Sequence, residues 1–167
     1  MSAVISIVQN SGASYASYAQ EVAKNISYFL TTDSALATKS AYPLSIPDVG
    51  KNYSYEIYLR CRCDLAPNDR CDNFKLWYSS GIPVSGYGIT ANSDAVAAYA
   101  QPVNSPSDKG TRVDFTTKNS EVNSIALTGT LNNVSDYTSY LVLQLEVSAG
   151  ADTGSFDISY TIQYDEF

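Results

Sequence analysis

Apolar and polar residues alternate with a period of two over two long stretches near the C-terminus. In residues 140–148, Leu141, Leu143, Leu145 and Val147 form one series, and Val142, Gln144, Glu146 and Ser148 the other. In residues 155–165, Phe156, Ile158, Tyr160, Ile162 and Tyr164 take one face, against Ser155, Asp157, Ser159, Thr161 and Gln163. Alternation of this kind puts every second side chain on the same side of a β-strand. The intervening residues, 149–154, hold two glycines and an aspartate, so the pattern predicts an antiparallel hairpin.

A second hairpin is predicted in the middle of the chain. Tyr53, Tyr55, Ile57, Leu59, Cys61 and Cys63 share one face, and Glu56, Tyr58, Arg60 and Arg62 the other. Residues 64–70 are rich in turn formers, and a return strand at 73–78 sets Phe74, Leu76 and Tyr78 against Lys75 and Trp77. Further β-type runs cover residues 3–8, 42–46, 112–117 and 124–131. Helix competes in two places. Tyr15, Tyr18, Val22, Ile26 and Phe29 fall at spacings of three and four, which suits a short helix over 15–23, with a strand over 25–32 as the alternative. Residues 93–100 pair an N-cap, Ser93 or Asp94, with an Ala-rich body that Pro102 limits. Residues 101–110 hold two prolines, two serines, Asn, Asp and Gly, and are expected to form a surface loop or, less simply, a linker. Many short strands separated by Gly, Pro, Asn and Asp predict an all-β antiparallel sandwich, jelly-roll or immunoglobulin-like, with at most one or two short helices.

Length supports one domain over residues 1–167. A domain of that size buries roughly 70% of the surface its unfolded chain exposes, so it needs no metal or disulfide to fold. Net charge changes the functional picture more. Seventeen carboxylates against ten basic groups leave a net charge of −7, which repels phosphate backbones and argues against nucleic acid as a partner. No stretch reaches the ~18–20 apolar residues of a membrane span. The short apolar run at the N-terminus has no basic residues before it, so the expectation is a chain assembled inside a cell, or one whose leader has been removed.

Histidine is absent. That excludes Ser-His-Asp and Cys-His nucleophile systems, the HExxH zinc site and an imidazole proton shuttle. Paired carboxylates remain, but nothing selects two of Glu56, Asp114, Glu121, Glu146, Asp157, Asp165 and Glu166 as a glycosidase pair. Asp64, Asp69 and Asp72 match no calcium-loop spacing and suit a solvated turn. Three cysteines leave three alternatives: reduced apolar thiols, a bridge across the middle hairpin through Cys63 and Cys71 or Cys61 and Cys71, or a metal site short of its fourth ligand. No catalytic residue, metal ligand or cofactor is expected. The chain carries 14 Tyr against 5 Phe and 1 Trp, and tyrosine is enriched at interfaces. Candidate interface residues are Tyr58, Trp77, Tyr78, Tyr164 and Phe167.

The segments 10–12, 43–47, 53–60, 73–77, 140–147 and 158–166 together resemble small β-sandwich virion proteins of tailed phages and archaeal viruses. The resemblance implies a non-enzymatic structural role in the virion: a capsid decoration or cement protein, or another repeated head or tail component, assembled in the host cytoplasm. Its partners would be the major capsid protein or other virion proteins, or copies of itself, with no membrane or nucleic-acid contact. In that role the terminal arms, residues 1–10 and 164–167, would reach a neighbour. A carbohydrate-binding or adhesive sandwich is the alternative, and would need Trp77 and two or three Tyr on one exposed face.

Overall fold

Alternating strands with one apolar face must bury that face, and two such sheets stacked inner face to inner face are the simplest solution. The computed structural model, which describes residues 2–12, 20–23, 27–81, 85–155 and 157–167, has this architecture. The larger sheet joins β1 (Val4–Ser11), β2 (Gln20–Ala23), β3 (Lys51–Tyr53), β4 (Ile57–Leu65), β6 (Tyr87–Asn92), β7 (Arg112–Asp114) and β9 (Leu141–Ser148). Their order is β2-β1-β4-β9-β6-β7, with β3 also on β9, and every pairing is antiparallel. The smaller sheet has the order β10-β5-β8, from β5 (Cys71–Ser80), β8 (Ile125–Leu127) and β10 (Ser159–Glu166).

Between the sheets lie Leu141, Leu143, Leu145 and Val147 of β9, Ile57, Leu59, Cys61 and Cys63 of β4, and Phe74, Leu76, Ile125 and Leu127 of the smaller sheet, all buried. Phe74 stacks on Tyr164 at 5.4 Å between centroids, and Tyr78 meets Phe115 edge-on at 6.1 Å. The inward residues are the ones the alternation assigns.

Both predicted hairpins are absent. β9 and β10 do not pair, and neither do β4 and β5; each pair is split between opposite sheets. The connections are long enough to cross the ~10 Å between stacked sheets. Crossing lets the two apolar faces meet face to face, whereas a hairpin would lay them side by side on one sheet.

Other expectations are corrected locally. Gln20–Ala23 is a strand paired with β1, so it is not the end of a helix; residues 13–19 and 24–26 lie outside the described residues. Residues 27–32 and 42–46 are not strands. Residues 93–100 are not helical: Val96 bridges Tyr140 in an extended conformation, its carbonyl accepting from the Tyr140 N–H at 2.8 Å. The run at 112–117 divides into β7 and a 3₁₀ turn, Phe115–Thr117, capped by Asp114 Oδ1 accepting from Thr116 N–H. The terminal segments are not loose arms. β1 pairs with β2 and β4, β10 pairs with β5, and Met1 lies outside the described residues.

Candidate interaction surface

The outward face of the larger sheet is itself buried over much of its area. Tyr58, Val142, Gln144 and Asn92 point away from the core yet are almost inaccessible, because residues 93–110 lie across them. Side chains of the sheet act as surrogate backbone for this strap. Gln144 Nε2 donates to the carbonyls of Ser54 (2.9 Å), Val103 (3.3 Å) and Ser105 (2.9 Å), and its Oε1 accepts from Ser107 N–H (2.9 Å). Glu56 Oε2 accepts from Val103 N–H at 3.2 Å. Asn92 Nδ2 donates to Asp94 O at 2.6 Å, and its Oδ1 accepts from Val142 N–H at 2.6 Å.

Arg112 secures the far end, donating to the carbonyls of Val142 and Thr90 at 2.8 Å each and to Thr90 Oγ1 at 2.8 Å. Burial pulls its pKa down to about 10, against the field of Glu56. Residues 101–110 are thus the expected surface loop, bonded across the sheet as a cover.

The strap settles where Tyr58 goes. Its ring is 0% exposed and meets Tyr99 at 5.0 Å and Tyr140 at 5.6 Å, both edge-on. A partner cannot touch it. Beside this cluster the outer face turns charged. Arg60 lies over Tyr137, with Cζ 3.6 Å from the ring centroid, and Glu21 accepts from Arg60 Nη2 (2.6 Å), Arg62 Nη1 (3.3 Å) and Tyr137 OH (3.0 Å). Burial raises the Glu21 carboxyl, but the hydrogen bonds from Arg60 and Tyr137 outweigh it and hold the group below its usual range. This network ties β2 to β4.

Trp77 is half-buried on the outer face of the smaller sheet, where its strand and cross-strand neighbours are Lys75, Ser79, Thr161 and Gln163. Tyr78, Tyr160 and Tyr164 point the other way, into the sandwich. The aromatic platform expected of a sugar-binding face is therefore missing from the described residues of these strands. The cause is the pleat, which sends Trp77 and Tyr78 to opposite faces.

The thiols are also interior. Cys61, Cys63 and Cys71 are free and each 0% exposed. β4 and β5 form no hairpin, so Cys63 and Cys71 lie on opposite sheets and are not joined. Burial raises all three thiols, Cys61 to about 12. An iodoacetamide reaction at pH 8 should leave the folded chain unmodified and should add three groups once denaturant is present, as read by intact mass.

One end of the sandwich remains open. There the 66–70 connection, the start of β1 and the end of β10 converge. Val4 and Leu65 face each other in register and are 50% and 38% exposed, and Phe167 is 52% exposed. Phe167 is fixed rather than loose: its N–H donates to Arg70 O (2.9 Å), its carbonyl accepts from Asp69 N–H (3.0 Å), and Arg70 Cζ lies 4.1 Å from its ring centroid. Glu166 stitches the two sheets, accepting from Ser2 Oγ (2.8 Å) and Ala3 N–H (2.5 Å). Ser2, Asn68, Glu166 and Phe167 line a shallow groove here. Of the sequence-derived interface candidates only Phe167 presents an exposed apolar side chain; Val4 and Leu65 went unnoticed because each ends a strand whose alternation assigns faces without saying what covers them.

Among the described residues no cluster of Cys, Asp and Glu is placed to hold a metal, and no helix is long and apolar enough to cross a membrane. The class so defined is a small all-β sandwich compatible with a protein-interaction module. Comparison with protein families, with curated proteins and with solved structures finds no match for the chain.

Proposed function

We propose that this chain is a non-enzymatic virion structural protein, a capsid decoration or other repeated head or tail component, which binds the shell or its neighbours. The observation that carries this reading is the open pole: the exposed apolar side chains of Val4, Leu65 and Phe167, held on an ordered frame with Arg70 over the Phe167 ring and Glu166 bonded to Ser2. Pre-ordered apolar anchors inside a polar rim are what a binding patch requires, because little entropy is lost when it docks. Weak single contacts suffice when many copies bind one lattice. The acidic balance favours solubility and limits non-specific association of free subunits.

The test has two arms. Mass spectrometry of particles purified from the host should find the chain at a fixed, repeated stoichiometry. The purified chain should also rebind particles stripped of it, and V4S/L65S/F167S should weaken that rebinding about tenfold or more. A chain absent from the particles, or one whose rebinding ignores the triple substitution, would overturn the proposal.

A further inference from the structure

We infer that β10 is a self-pairing edge, at which two copies of this chain join their smaller sheets in antiparallel register centred on Ile162. The inference rests on the reading of the chain as an interaction subunit and names a second copy as one of its partners.

Among the described residues β10 pairs on one side only, with β5. The remaining peripheral strands are short, four residues in β2 and three each in β3, β7 and β8, against eight in β10. A long open edge is a template for another strand unless Pro, Lys or a bulge blunts it. β10 holds no Lys, Arg or Pro. The two register shifts between β10 and β5 put the extra residues on β5. Ser79 lies between the pairs Ser159–Ser80 and Tyr160–Tyr78, and Asn73, at φ 54°, precedes Phe74 opposite Tyr164. The edge strand stays regular.

Three hydrogen bonds fix which β10 groups point outward. Tyr78 N–H is spent on Lys118 O, and Cys71 exchanges bonds with Leu131, so their partners Tyr160 and Glu166 sit at non-bonded positions of the β10–β5 ladder. Phe167, by contrast, bonds to Arg70 and Asp69. The backbone groups of Tyr160, Ile162 and Tyr164 therefore face the open edge.

Strand overlap and side-chain pairing select the register. With Ile162 on the dyad, Tyr160 meets Tyr164, Thr161 meets Gln163, and Ser159 meets Asp165 of the second copy. Centring on Thr161 would pair only residues 159–163 of β10 between the copies, against 159–165 when Ile162 is on the dyad. Centring on Gln163 would set Tyr160 against Glu166. Both carboxylates at the end of β10 are occupied within the subunit: Asp165 accepts from Asn73 Nδ2 at 2.8 Å, and Glu166 holds Ser2 and Ala3. Tyr160, Ile162 and Tyr164 pack on the core yet remain partly exposed, and a second copy would bury what is left.

Sedimentation of the full chain near physiological salt should show a monomer–dimer equilibrium. T161K/Q163K sets lysines opposite lysines on the outer face and should raise the dimer Kd about tenfold or more, with circular dichroism confirming that the variant is folded. Register is read by cysteine pairing. An oxidised mixture of T161C and Q163C should give a cross-linked heterodimer, while each variant alone gives none. A chain monomeric at every concentration, a dimer indifferent to the two lysines, or a cross-link formed by one variant alone would overturn the inference. A monomer that still binds its particle would do so while leaving the proposed function standing.

Discussion

Gln144→Leu should destabilise the chain by about 2–4 kcal/mol, although the side chain points away from the core between the sheets. The replacement keeps the volume and removes every polar atom. It leaves the carbonyls of Ser54 and Ser105 and the N–H of Ser107 without the partners they have at 2.9 Å, while the Val103 carbonyl keeps its bond from Glu56 N–H at 3.0 Å. A buried polar group deprived of its partner costs about 1–3 kcal/mol, and Ser54, which is fully buried, has no access to water unless the strap lifts. Lifting it would expose Tyr58, Tyr140 and Val142, which pack beneath. In a chain of this size the loss corresponds to a fall in Tm of roughly 10 °C. Limited proteolysis should show new cutting within residues 101–110. Val122→Ala, at a fully exposed position, is the control and should change neither. An unchanged Tm for Gln144→Leu would mean that the strap is not clasped as described.

Alkaline pH should unfold the protein well before acid of comparable displacement from neutrality. Burial raises the thiols of Cys61, Cys63 and Cys71 and the phenols of Tyr58, Tyr99, Tyr140, Tyr160 and Tyr164. In each case the folded state holds its proton more tightly than the unfolded chain does. Between the unfolded and folded pKa values the native state binds more protons, so stability falls as pH rises. For Cys61 the window runs from its ordinary value of 9 to about 12. A three-unit shift in a group that is wholly buried amounts to about 4 kcal/mol by the upper end of that window. Tyrosines extend the loss further up the scale. With no histidine, neutral pH should be a plateau. Denaturant midpoints measured from pH 6 to 12 should be level to about pH 9 and then drop. Substituting Cys61→Ala should flatten the first part of that drop.

Both expectations come from groups that are interior for different reasons, and the difference shows what was legible in the chain itself. Strand faces were legible. The series Leu141, Leu143, Leu145, Val147 and the series Ile57, Leu59, Cys61, Cys63 are the inner faces of β9 and β4, because a period of two is a local property of the extended backbone. The all-β class followed from that pattern, and the exclusion of imidazole chemistry from composition alone. At the open pole, Phe167 was legible as an aromatic terminus, while Val4 and Leu65 became visible only once neighbouring strands were placed.

Pairing was not legible. Adjacent alternating strands with a turn between them satisfy the hairpin pattern equally well whether they share a sheet or face each other across it, and both such pairs here face each other. Nor could alternation reveal that a segment far along the chain covers the second face of a sheet. Tyr58, Val142 and Gln144 occupy positions that the pattern assigns to solvent, and only the 93–110 strap makes them interior. Local periodicity determined which way each side chain points. The contacts that decide what it meets, between strands and loops distant in sequence, belong to the tertiary structure, because they depend on which backbone edges and faces the whole chain leaves available.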